Sequence, residues 1–450
     1  MNKLWLGTAL LTVVSLSLGA CSSGGTPKAG ETPAPSSAEA AAGSAESDDI
    51  TEPTNLKLFV TGATFTDTEF KVQIKDQVEK HFKNVTIERI TPPTGTTVQD
   101  FFSSGEEPDL IFGDGYHTLK QLKVVEDLRP FIKKYNFVES RLKPHTYDYI
   151  KDFGENGEIY GIPYNSNQHI LYYNKDVFDK FGVAYPSDEQ MTWDQAFELG
   201  RQLTREEGGV QYIGIDTEGL GMLSRSYALP ILDPKTGKSV LDSPQWLTVF
   251  QAAKTNFEIP GFLPKDETKY MWGRDVFMKD RTMAMRPAWL ANMVGPLEEL
   301  RQQGIESNWD IAPVPTFPDQ LGKTREAQVH SITLSSLSKN KDAAFKVIKF
   351  LLSDEAQRVI SRNGRVPAVI NPELEKEYGA DVGVLKGKKI ENIFKYTPLK
   401  THASHKYETN VTKFVTEANL ELAKGADVNT VIRRTSETID KEVEKLLKNE

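Results

Sequence analysis

Leu56-Lys57-Leu58-Phe59-Val60-Thr61 alternates along its length and stops at Gly62, and Phe70, Ile74, Val78 and Phe82 then recur every fourth residue. The first pattern has the two-residue period of a strand; the second traces one face of a helix. Val85, Ile87 and Ile90 supply a second strand. Pro108-Asp109-Leu110-Ile111-Phe112 is a short buried strand that ends in Gly113-Asp114-Gly115, with a helical stretch after it to about Val124. Strand, helix, strand, helix, strand in that order argues for a parallel sheet covered by helices. The class is α/β.

A second cycle begins near Ile159. Ile170-Leu171-Tyr172-Tyr173 reads as a strand, and Thr192-Trp193-Asp194-Gln195 is a capping-box pattern opening a helix to about Leu203. Residues 212–215 form another strand, 248–257 a helix, and 282–285 a strand leading to Trp289. Ala344, Val347, Ile348, Leu351 and Leu352 trace a helix face, as do Val428, Val431, Ile432, Ile439, Val443 and Leu446 near the C-terminus.

A chain of 450 residues is more than one core usually carries, so two lobes are expected. The net charge is −9, and no basic patch or aromatic-basic interleaving stands out, which argues against a nucleic-acid partner. Cys21 is the only cysteine, so neither a disulfide nor a Cys-ligated metal site is available. It follows an apolar stretch, residues 4–18, flanked by Lys3. That stretch suits a signal-peptide core and falls short of the roughly 20 residues of a membrane-spanning helix. Leu18-Gly19-Ala20-Cys21 resembles a bacterial lipobox, which implies removal of residues 1–20 and lipidation of Cys21 at the outer face of a bacterial cell membrane. The alternative is a secretory leader with an incidental cysteine. Residues 22–54 are rich in Ser, Ala, Gly, Pro and Thr and carry Glu31, Glu39, Glu46, Asp48, Asp49 and Glu52 against Lys28. Such a composition cannot offset its ordering entropy, so residues 21–54 read as a tethered spacer.

Several segments together resemble the extracellular solute-binding proteins of ABC importers, in the sugar-binding family that includes maltodextrin-binding protein. They are Pro108–Phe112 with Val125-Glu126-Asp127-Leu128-Arg129-Pro130-Phe131, and Gly161-Ile162-Pro163-Tyr164 with Leu171-Tyr172-Tyr173-Asn174-Lys175-Asp176-Val177-Phe178 and Thr192-Trp193. Ala284-Met285-Arg286-Pro287-Ala288-Trp289, Trp309-Asp310-Ile311-Ala312-Pro313-Val314-Pro315, residues 343–350 and Leu352-Ser353-Asp354-Glu355-Ala356-Gln357 complete the pattern. The resemblance implies a periplasmic-binding-protein-like fold: two α/β lobes joined by several hinge crossings, with a ligand cleft between them. Crossings are expected near 162–165, 310–315 and 363–367. Lobe 1 would combine 55–163 with 312–363, and lobe 2 would combine 164–311 with 364–450. The implied function is capture of a carbohydrate, of oligosaccharide size, and its delivery to ABC permease subunits driven by a cytoplasmic ATPase. The protein would act as a monomer, without cofactor or metal, touching the membrane through its lipid anchor only.

Sugars are bound by aromatic faces and by side chains that fix hydroxyl groups, and ligands of open α/β sheets sit at the carboxyl ends of strands. Trp289 follows a strand and aligns with a sugar-stacking tryptophan of the family, with a core tryptophan as the alternative. Trp272 lies in a polar run and fits either place. Asn165 and Asn167 follow Pro163 at the first crossing, where Asn167 aligns with a ligand-contacting carboxylate of the family; a self-satisfied turn is the other reading. Asp114, Tyr116 and His117 follow the strand that ends at Phe112, and Thr64 lies in the equivalent loop after the first strand. Asp216 and Glu218 are weaker candidates. Arg286 and Arg365 could fork onto an acidic sugar or serve as ion pairs. His402 and His405 fall where the family puts an aromatic facing ligand; their i, i+3 spacing also suits a metal, but no second cluster supports one.

The chain has no Gly-x-Ser-x-Gly, no His-Glu-x-x-His and no Walker-type Gly-Lys-Ser motif. A secreted glycoside hydrolase is the enzyme alternative, and a binding lipoprotein that feeds a sensor kinase is another.

Overall fold

Leu56 and Leu58 are wholly buried in strand β1 (Thr54–Thr61), which pairs in parallel with β2 (Val85–Ile90) on one side and β3 (Leu110–Gly113) on the other. The computed structural model describes residues 47–448 except Thr94, so the expected leader, Cys21 and the expected spacer as far as Glu46 lie outside the described residues. The described residues form one compact unit. Between β1 and β2, Phe70, Ile74, Val78 and Phe82 are all buried, as their spacing predicts. A spacing of four drifts off the face of a helix with 3.6 residues per turn. The chain absorbs the excess with a π-helical turn at Lys71–Lys75, between α-helical Asp67–Phe70 and Asp76–His81. Thr66 and Glu69 close a capping box at the start.

β4 (Ile162–Asn167), β11 (Gln328–Leu334) and β12 (Val366–Pro367) complete a six-stranded sheet in the order β12-β4-β11-β3-β1-β2. This sheet is mixed rather than parallel throughout, because β11 enters from the other half of the chain and runs antiparallel to both β3 and β4. A second sheet has the order β6-β7-β8-β5-β9, from β5 (His169–Asn174), β6 (Arg205–Glu207), β7 (Val210–Ile215), β8 (Met283–Trp289) and β9 (Trp309–Ala312). The capping box at Thr192 opens helix Trp193–Leu203. β10 (Lys323–Thr324) and β13 (Thr397–Pro398) form a separate two-stranded ribbon.

Each sheet has its own hydrophobic core, one including Leu58, Ile87, Phe112 and Ile348, the other Tyr172, Ile215, Met285 and Val431. The first passage between sheets falls at Gln168, later than the expected 162–165, because β4 stays bonded to β11 as far as Asn167. The second occupies residues 313–327, between β9 and β11. The third runs from Val366, which β12 holds in the first sheet although it packs in the second core, to Tyr378 of the second core, with Leu374 of the first core between them.

Candidate functional site

The ends of β1 and β3 come so close that a Cβ on Gly113 would lie 1.7 Å from the carbonyl oxygen of Thr61. With φ at +130°, this position requires glycine. The approach sets Asp114 over the strand ends, where its carboxylate accepts from the Gly115 N–H (2.7 Å) and the Gln328 amide (3.3 Å). Burial raises the pKa of Asp114 against those two bonds. Helix Tyr116–Gln121 follows at once, and Tyr116 stacks on Phe153 with centroids 4.7 Å apart. The next residue, His117, shares a 2.9 Å hydrogen bond from Nε2 with the Ser404 hydroxyl. Burial lowers the pKa of His117 to about 4, so its ring is neutral at pH 7.

The opposite wall is a charged cluster. Buried Glu326 accepts from Arg225 Nη1 at 2.9 Å and from His402, through its backbone N–H at 2.9 Å and its Nδ1 at 2.8 Å. Glu408 stands 3.7 Å from His402 Nε2 and accepts the N–H groups of Ile231 and Leu232. Burial opposes the charge on Glu326, but His402 and Arg225 outweigh it and hold its pKa below the ordinary value. Burial likewise opposes the charge on His402, and Glu326 and Glu408 outweigh it and raise the pKa. Glu408 itself is raised by burial.

Between these walls lies a cavity of about 390 Å³, lined by Asp114, Tyr116 and His117 on one side and Arg225, His402 and Glu408 on the other. Arg225, His402 and Glu408 also border a neighbouring cavity of about 300 Å³ that reaches Trp246, Tyr270 and Met271. The combination of carboxylates, a cation, imidazoles and stacked aromatic rings can fix hydroxyl groups and cover apolar ring faces.

Asp114, Tyr116, His117 and His402 thus border one cavity. The structure does not bring the other candidates to it. Asn165 and Asn167 are buried in the sheet, because β4 continues through them; Asn165 bonds His330, and Asn167 accepts from the Ala291 N–H. Thr64 offers its carbonyl to Arg365 at 2.6 Å. Arg365 also pairs with Glu69 at 2.8 Å, and Arg286 pairs with Asp216 at 3.1 Å and with Glu218. Both arginines therefore form the ion pairs that were the alternative to sugar contact. The Trp272 indole donates to the Phe262 carbonyl. Trp289 ends β8 rather than following it, lies against His169 with ring centroids 3.5 Å apart, and has the Arg225 guanidinium 5.1 Å from its own ring. His405 packs on Tyr407. Among the described residues no three His, Cys, Asp or Glu side chains gather as a metal site.

Arg225, Glu326 and Glu408 were missed. Arg225 sits in the short turn Ser224–Ser226, with no pattern to mark it. The only signal for Glu326 was the charged run Lys323-Thr324-Arg325-Glu326, beyond the expected crossing at 310–315.

Two α/β halves, three chain passages and a cavity walled from both halves define a two-lobed solute-binding protein. The family model described as bacterial extracellular solute-binding protein matches residues 73–385, and the chain belongs to that family. It is a family of binding proteins, not of enzymes, which removes the glycoside hydrolase alternative. A curated binding protein of Brucella abortus (strain 2308) is 23% identical over 261 residues, 54% of this chain and 57% of the relative. The sn-glycerol-3-phosphate-binding periplasmic protein of the same organism is 27% identical over 194 residues, 41% of this chain and 42% of that one. The chain therefore spans about half the length of the curated relatives it matches. In fold it is similar to an ABC substrate-binding protein of Listeria monocytogenes solved with cycloalternan, with a TM-score of 0.71 and 18% identity over 87% of this chain and 99% of that one.

Proposed function

We propose that this protein is the substrate-binding component of an ABC importer, capturing a carbohydrate in the cavity between its lobes and delivering it to permease subunits. The observation that carries this reading is that both lobes supply the cavity wall, with Asp114 and His117 facing Arg225 and His402. A ligand bound there favours closure, because only a closed form touches it from both sides. Fold neighbours solved with cycloalternan and with maltose, and the arabinooligosaccharide-binding relative of Halalkalibacterium halodurans, 38% identical over 89 residues, support a carbohydrate as cargo. The ligand-contacting set is Asp114, Tyr116, His117, Arg225, His402 and Glu408, and the two lobes divide at Gln168, 313–327 and 366–378.

Cys21 is the lipid anchor in this reading, the residues after it the tether, and the folded body a monomer on the extracellular face. Among the described residues no helix is long and apolar enough to cross a membrane, which is consistent with attachment through the N-terminus. A thermal-shift screen of mono- and oligosaccharides identifies the cargo, since a ligand raises stability with the logarithm of its saturation. Small-angle scattering with that sugar should show a smaller radius of gyration. An unchanged radius would count against closure. Replacing Cys21 should release a binding-competent protein into the medium.

A further inference from the structure

Arg325 is 1% exposed, and Nε, Nη1 and Nη2 have no hydrogen-bond partner among the described residues. Its close companion is the face of Trp193, 4.9 Å from the guanidinium carbon. An aromatic face attracts the cation but accepts no directed bond from the fork. The acid acting most on it, Glu218, is bonded to Arg286 instead. Glu326, next in the chain, is taken by Arg225 and His402. Burial lowers the pKa of Arg325 to about 9, which still leaves it charged at pH 7.

Its surroundings share the deficit. The charge of Arg325 acts on His169, whose two ring nitrogens also have no partner among the described residues. His169 lies on Trp289, and the Arg225 guanidinium lies over the same ring. Arg225 has Glu326 to receive it, but Arg325 and His169 have no acceptor among the described residues. A buried charge without partners is unfavourable to the fold, and a guanidinium fork matches the paired oxygens of a carboxylate or phosphate.

We propose that Arg325 anchors an anionic substituent of the ligand, a carboxylate or phosphate carried by the sugar, beside Trp193. The inference rests on the carbohydrate-binding reading and narrows its substrate class to acidic sugars.

The test uses calorimetry on the lipid-free body, wild type and Arg325→Met, with matched pairs: digalacturonate against galactobiose, and glucose 6-phosphate against glucose. The expected result is at least tenfold tighter binding of one acidic member, falling to within twofold of its neutral partner in Arg325→Met. The two acids separate carboxylate from phosphate. Neutral sugars binding as tightly as both acids would overturn the inference and leave the carbohydrate reading standing. An acid preference that survives Arg325→Met would also overturn it. If no sugar binds, thermal melts with inorganic phosphate and with acetate decide. A rise in Tm that depends on Arg325 upholds the anion site while the carbohydrate reading falls, and no rise removes both. Should Arg325→Met not fold, Arg325→Lys keeps the charge without the fork. It should retain less than a third of the wild-type preference, and full retention would count against the fork.

Discussion

Arg365 and Arg325 are both buried and both lie where the chain passes between the sheets, yet their surroundings are opposite. Arg365 bonds Glu69 through Nε at 3.0 Å, the Thr64 carbonyl at 2.6 Å and His330 at 3.4 Å, and its guanidinium lies 4.6 Å from the Phe65 ring. Arg325 has an aromatic face and nothing that accepts its protons among the described residues. A shell as complete as that of Arg365 is built by residues from distant parts of the chain, and it fixes the segment after β1, β11 and the start of the third passage to one another. An incomplete shell around an equally buried charge gives the fold nothing. The first arginine is explained by the structure alone; the second points to something the structure does not itself supply.

Arg365→Met should produce the largest effect. It strands Glu69 in a nearly closed site, and removing one partner of a buried pair costs about 3–5 kcal/mol. Urea unfolding measures this, and the same substitution at Arg325 should leave the unliganded protein equally stable or more so. Equal losses at both positions would erase the contrast.

Glu326→Gln tests an intermediate case, a buried acid shared by two cations. The loss should be about 1.5–3 kcal/mol, the range for a hydrogen bond to a charged group. The pH dependence has two sides. The pKa of His402 is raised by folding, so its contribution is complete below the unfolded value of about 6.5 and lost as pH rises through the folded value. The pKa of Glu326 is lowered, so its contribution is present above about 4.5 and lost as pH falls through its folded value. In Glu326→Gln the NMR titration of His402 should move toward lower pH. A His402 titration that stays in place would show that Glu408 alone holds its proton.

These contrasts also mark how far the sequence could be read. Period and capping gave the elements: the box at Thr192 opens a helix as expected, and even the spacing of four from Phe70 to Phe82 was a true core face, closed by a π turn. The loop after β3 was legible because Gly113 and Gly115 bracket Asp114. Side-chain partners were not, since they depend on pairings across hundreds of residues. Arg286 and Arg365 drew attention by position, but Asp216, Glu218 and Glu69 were waiting for them in the fold. Arg325 drew none, because no local pattern distinguishes a satisfied arginine from an unsatisfied one. Trp289 was placed just beyond its strand, whereas pairing of His169 with Trp289 keeps it inside.

The smallest expected effect concerns the contact across the cavity, where His117 meets Ser404. Ser404→Ala should cost about 0.5–1.5 kcal/mol, the net worth of a neutral hydrogen bond. The acid response is the more telling measurement. The folded pKa of His117 is about 4, below the unfolded value of about 6.5. Between those values the unfolded chain takes up a proton that the folded chain refuses, so stability falls as pH drops through the window and levels off below it. His145, His169 and His330 are depressed by burial too and share the window. Only the difference between wild type and His117→Gln isolates this ring. Urea midpoints at pH 7 and pH 5 should converge more closely in the variant than in the wild type. Equal shifts in both would mean that water reaches His117 freely and that the two walls do not meet there in solution.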